Sequence, residues 1–284
     1  MRLQRTIRES GQILGLGVHS GEECCLKFKP LPENSGIVFC RKDLAEEMTW
    51  VVGQPGFETP LNGDLRQTTL GSDTGSIKTI EHLMAALWAL GICNLSIEVM
   101  GGEIPILDGS SLDFINAFND MGIIDQTVTK PEFVLKEPLF VSGKQSAILA
   151  LPSAGFSITY TLDYPHPQLK AMTLAININP EEFIEKIAPA RTFCTKDEAQ
   201  QLLDLGYGKG ANTNNTLVLA EDGPIENVLR FDNEPVRHKI LDLVGDLSLL
   251  GYDFKAQIIA IRSGHALNHA LRAKILKTSQ LQAN

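Results

Sequence analysis

Residues 237–251, RHKILDLVGDLSLLG, decide how the rest of the chain is read. Ile240, Leu241, Val244, Leu247 and Leu250 recur at three- and four-residue steps, no proline interrupts them, and Gly251 follows. That is the pattern of an amphipathic helix and its stop. His238, Asp242 and Asp246 stand at i, i+4 and i+8, so an α-helix stacks all three on one stripe. The stripe runs beside apolar rows, where an unpartnered charge costs several kcal/mol. It is therefore either a solvated polar edge or a row with partners. His-x-x-x-Asp can chelate zinc through one imidazole nitrogen and one carboxylate oxygen.

Around this stretch, 284 residues with 43% hydrophobic and 21% charged side chains describe a soluble globular protein long enough for two ordinary domains. The longest apolar run, 83–93, is too short to span a bilayer. The opening MRLQRTIRES lacks the apolar core of a secretion signal, which makes the cytoplasm the expected compartment. Five scattered cysteines fit reduced thiols, and the adjacent Cys24 and Cys25 cannot share one face of a strand. A net charge of −9 leaves no basic excess for nucleic acid. The expected partner is a small-molecule substrate, with no transmembrane segment and a monomeric chain.

The first 60 residues or so read as short strands and turns, with four glycines between Gly11 and Gly21. His19, in that glycine-rich turn, reads as an exposed loop histidine. Residues 55–76 turn to Gly, Asp, Thr and Pro and read as irregular or hairpin structure. A helix then runs through EHLMAALWALG (81–91), with Thr79 as its N-cap and Glu81 and His82 in its first turn. A strand (NLSIEVM), a turn region and a short helix from 112 to about 121 follow. Residues 123–135 look like a joint. Beyond it strand-like segments (132–141, 146–151, 156–162), an insert, the 237–251 helix, a strand at 255–262, a turn and a last helix from 265 to about 276 repeat the same order. The match is topological and predicts an internal duplication in which two main helices, each opened by a histidine, meet at one interface.

His82 from one half with His238 and Asp242 from the other make three protein ligands with one position open, as a catalytic zinc site requires. Glu81 is placed to take a proton from water and His265 to give one to a leaving group, with Asp246 orienting His265. His265 and His269, at i and i+4, form a rival metal pair. Spacing does not choose between them.

IEHLMAAL, EIPILDGSS, ARTF, LRFDNEPVRHKILDLVGDLSLLG and SGHALN together resemble the UDP-3-O-acyl-N-acetylglucosamine deacetylases, zinc amidases of lipid A biosynthesis in Gram-negative bacteria, over nearly the whole chain. The resemblance implies an α+β fold of two similar domains, 1–126 and 127–284. Each is a sheet against two helices with an insert (55–76 and 194–215), and the active site lies between them. It implies one Zn2+ per chain, with Fe2+ as the alternative, on His82, His238 and Asp242. Glu81 is then the general base, His265 the general acid, Asp246 its support and Thr192 the oxyanion stabiliser. Phe193 and Lys239 fall beside the substrate. Arg262, where relatives often carry Lys, would meet a diphosphate, and Tyr164 of LDYPHP the uracil. Ala199, Leu202, Leu203 and Leu205 of the second insert correspond to an apolar passage for the acyl chain. The rival functions are a zinc amidase on another N-acyl sugar and a non-catalytic metal- or nucleotide-binding protein.

Overall fold

The computed structural model describes residues 2–54, 66–72 and 75–283. It is an α+β protein, and its two halves repeat one sheet plan. In the first half the strands lie in the order Gly11–Leu16, Glu23–Pro30, Leu95–Met100, Ile37–Arg41 and Met48–Val51. In the second they run Leu139–Ser142, Ala147–Leu151, Asp253–Ile261, Phe156–Leu162 and Met172–Asn177. Each sheet centres on its last strand in sequence, antiparallel to the neighbour on one side and parallel to the other. The second sheet carries one extra strand, Glu132–Val134, beside its central strand. Strand Ile123–Thr129 spans the 126/127 junction and pairs with Leu3–Ile7.

Six α-helices occur among the described residues: α1 Glu81–Leu90, α2 Leu112–Asp120, α3 Pro180–Lys186, α4 Lys196–Asp204, α5 Glu234–Ser248 and α6 His265–Ala283. In each half one helix precedes the central strand and one follows it, α1 and α2 in the first and α5 and α6 in the second. The apolar faces of α1 and α5 meet, and one continuous cluster of buried side chains joins the two halves. Leu83, Leu87, Leu241 and Leu243 are fully buried there, each worth about 2 kcal/mol of removed apolar surface. The helices approach closely because residue 245 is glycine: a Cβ there would stand 2.2 Å from the Glu81 carbonyl oxygen.

Most boundaries follow the periodicities, with differences that have local causes. Thr79 does not cap α1. Its φ of 59° turns the backbone away, and its hydroxyl is used by Gln67 at 2.9 Å and Glu103 at 3.1 Å. α1 ends as expected, at Gly91 with φ 73°, a left-handed position that glycine takes without strain. The strand expected at 132–141 is two strands, Glu132–Val134 and Leu139–Ser142. Of the first insert, Thr69–Ser72 and Gly75–Lys78 form a hairpin; 55–65 lie outside the described residues. Cys24 points into the core and Cys25 outward, and all five cysteines are free thiols.

Candidate active site

Both main helices deliver their histidines to the seam between the halves. α1 opens with Glu81 and His82, and the second and third turns of α5 carry His238, Lys239 and Asp242, all close-packed by the contact at Gly245. One donor atom each from His82, His238 and Asp242 lies within 4.8 Å of the others, and all three residues are buried. The set fits a cation. His238 Nδ1 is 3.0 Å from the Ala190 carbonyl, which can only accept, so the proton is on Nδ1 and Nε2 carries a lone pair. That lone pair faces Asp242 Oδ1 at 3.3 Å. Burial pushes the His238 pKa down to about 3, so the ring is neutral. Two buried acceptors facing each other at this distance need a positive charge between them. Among the described residues no other His, Cys, Asp and Glu group converges this way, and the rival pair His265 and His269 is not one.

The other oxygen of Asp242 is occupied. Lys239 Nζ donates to Oδ2 at 2.7 Å. Burial would raise the Asp242 pKa, but Lys239 and His238 outweigh it and hold the carboxylate well below its usual range.

Across the site, Glu81 Oε1 is 3.8 Å from His265 Nε2, and Glu81 Oε2 accepts the Thr68 N–H at 3.1 Å. Burial raises the Glu81 pKa while His265 and His82 pull it down, and the net shift is upward. His265, the first residue of α6, donates from Nδ1 to Asp246 Oδ2 at 2.8 Å. Burial acts against its charge, but Asp246 and Glu81 prevail and lift its pKa to about 9. The imidazolium therefore holds a proton on Nε2 facing the site at neutral pH.

These groups sit in a cavity of about 510 Å³, large enough for a small-molecule ligand. Thr192 and Phe193 line it. The Thr192 N–H donates to the Gly109 carbonyl at 2.8 Å, and Arg191 anchors this segment by donating from its backbone N–H and its Nε to Glu234 of α5, both at 2.9 Å. The Phe193 ring stands edge-on to His238, centroids 6.2 Å apart. α4, started by a capping box between Thr195 and Glu198, turns Ala199, Leu202 and Leu203 toward the cavity. Leu205, expected with them, is 73% exposed and does not line it. Arg262 lies outside this cavity, in an adjoining open pocket with Asp163 at 3.3 Å from its guanidinium. Tyr164 lines both.

Several contributors carry no role in the sequence reading. His19 is half-buried and lines the cavity, edge-on to Tyr207, in contrast to the exposed histidine expected. Its turn is held by Glu103, which accepts the N–H of His19 at 2.9 Å and of Ser20 at 2.8 Å, and by Gly210 of the second insert, whose N–H meets the Val18 carbonyl. Thr68 and Asn268 bond Asp246 from behind. The glycine run hinted at a tight turn near residue 19, but no local pattern marks Thr68.

A twofold-repeated α+β frame whose halves jointly supply a buried His2Asp set, an adjacent carboxylate and a charged histidine defines a metalloenzyme acting on a small molecule. Comparison with known proteins gives the family. Residues 4–277 match the model described as UDP-3-O-acyl N-acetylglycosamine deacetylase (LpxC). A UDP-3-O-acyl-N-acetylglucosamine deacetylase of Thermodesulfovibrio yellowstonii is 39% identical over 98% of this chain and 93% of its own length. One of Chlamydia caviae is 41% identical over 98% and 99%. A bifunctional LpxC/FabZ enzyme of Chlorobaculum tepidum is 37% identical over 93% of this chain and 62% of its own. The chain belongs to the UDP-3-O-acyl-N-acetylglucosamine deacetylase family, a family of metal-dependent hydrolases.

Proposed function

We propose that this protein hydrolyses the N-acetyl group of UDP-3-O-acyl-N-acetylglucosamine, releasing acetate and UDP-3-O-acyl-glucosamine, as a zinc enzyme of lipid A biosynthesis in a Gram-negative cytoplasm. The observation that carries the proposal is the buried His82, His238 and Asp242 set with Glu81 and His265 beside it, at one wall of an apolar-sided cavity, in a chain of this family. Zn2+ held by these three residues would supply a Lewis acid that acidifies water and polarises a carbonyl oxygen, and Fe2+ suits the same donors.

The chain's own groups do the rest. Glu81 takes the proton of the attacking water, its raised pKa making it a stronger base than a surface glutamate. The Thr192 hydroxyl donates to the acetyl oxygen as negative charge builds there. His265 Nε2 then protonates the departing amine, and Asp246 keeps the ring aimed and charged. Lys239 and Phe193 contact the sugar, Arg262 the diphosphate and Tyr164 the uracil, the last two from the adjoining pocket. Ala199, Leu202 and Leu203 take the acyl chain, at about 0.8 kcal/mol per buried methylene. We further propose units of 1–126 and 127–284, supported by the matched sheet orders, and a monomer, since each site draws all its groups from one chain.

Purified protein should release acetate from UDP-3-O-acyl-N-acetylglucosamine, lose that activity to a zinc chelator, and turn over UDP-N-acetylglucosamine far more slowly. Absence of release from protein with a full metal site would remove the function. Equal release from both substrates would point to an amidase of other N-acyl sugars.

A further inference from the structure

Thr68 belongs to none of the motifs above, yet it is fully buried between the groups assigned the two proton transfers. Its N–H donates to Glu81 Oε2 at 3.1 Å. Its hydroxyl contacts Asp246 Oδ1 and lies 3.2 Å from His265 Nδ1 and 3.1 Å from His269 Nε2. The donor directions follow from the groups present. A hydroxyl has one proton and a carboxylate only accepts, so the Thr68 proton points to Asp246. His265 Nδ1–H is already committed to Asp246 Oδ2 at 2.8 Å. What remains for the Thr68 oxygen is to accept from His269 Nε2–H. Asp246 is thus held at Oδ1 by Thr68 and at Oδ2 by His265 and by Asn268, the latter at 2.8 Å. With both oxygens fixed, the carboxylate cannot rotate away from His265.

We propose that Thr68 is a positioning residue for this reaction: its hydroxyl locks Asp246 in the orientation that aims His265, while its N–H fixes Glu81, so that one side of the site sets the spacing between base and acid. The proposal rests on the roles given above to Glu81 and His265. Valine at 68 keeps the shape and the N–H but leaves Asp246 Oδ1 and His269 Nε2–H unpaired in a buried place.

The test uses the full-length, zinc-loaded protein with Thr68→Val and Thr68→Ser, the first also in a His265→Ala background. Acetate release, zinc content, melting temperature and the ¹⁵N resonances of the histidine rings are measured. Thr68→Val should lower kcat by about 10- to 100-fold, the usual effect of removing such a supporting partner. KM and zinc content should stay as they are, and Thr68→Ser should restore most of the rate. In the His265→Ala background Thr68→Val should add no further loss, because the residues act as one unit. An unchanged kcat for Thr68→Val, an equal loss in both backgrounds, or a serine variant as impaired as valine would overturn the proposal. If Thr68→Val does not fold, Thr68→Ala takes its place. An inert wild-type protein would refute the deacetylase reading instead. The His265 ring resonances then decide alone: a shift with valine reversed by serine supports positioning, and no shift overturns it.

Discussion

His238 is suited to a metal ligand because burial drives its pKa to about 3 and the Ala190 carbonyl accepts a hydrogen bond from its Nδ1–H, whereas Glu81 and His265, a few ångströms away, carry the raised pKa values that the proposed proton transfers call for. Metal binding and proton transfer therefore separate by mutation. His238→Ala should lose bound zinc, measured by elemental analysis. Glu81→Gln should keep it while kcat falls by about 10²- to 10⁴-fold, the range for removing a general base; normal turnover in that variant would exclude Glu81 from the role. The pH profile carries a sign. In the proposed mechanism Glu81 works ionised and His265 protonated, so kcat/KM should rise as pH passes the raised Glu81 pKa and fall as it passes that of His265, about 9. After burial, Asp246 is the largest influence on His265 and raises its pKa. Asp246→Asn should therefore move the descending limb to lower pH, and a limb that stays put would assign it to another group.

At the level of elements, the crossing of α1 and α5 turns two separate motifs into one site. Gly245 is the point of contact, with the Glu81 carbonyl where a Cβ would be. Gly245→Ala must push the helices apart. The expected cost is about 1–3 kcal/mol of stability, as for other overpacked cores, with activity and zinc affinity falling together because both helices carry site residues. A Gly245→Ala protein with wild-type melting temperature and rate would show that the crossing tolerates a wider gap. α4 behaves differently, since none of its residues is buried. Leu202→Ala should leave the melting temperature nearly unchanged, as surface substitutions do, and raise KM for the acylated substrate alone, which steady-state kinetics on both substrates would report.

For the whole molecule, the candidate metal site spans the two halves, His82 coming from the first and His238 and Asp242 from the second. Metal should thus hold them together as well as serve chemistry. Ligand linkage gives about 2.7 kcal/mol at a free metal concentration of 100 times Kd. Chelation should accordingly lower the melting temperature, as calorimetry with and without chelator would show, and re-addition of zinc should restore it. Much of this was legible in the chain. The i, i+4, i+8 stripe of 237–251, the histidine opening each main helix and the repeated order of strands and helices depend on local periodicity, which any helix or strand must display. So the amphipathic elements, the duplication and the candidate ligands were determined by the sequence alone. The tertiary structure decided what depends on contacts between residues far apart in the chain. It brought His82, His238 and Asp242 together as a set of three donors and set His265 and His269 around the Thr68 hydroxyl instead. It drew Thr79 off its cap, put His19 in the cavity and set Arg262 in a neighbouring pocket. It also placed Thr68, which no spacing announces, behind Asp246, because a hydrogen bond across 178 residues leaves no period to read.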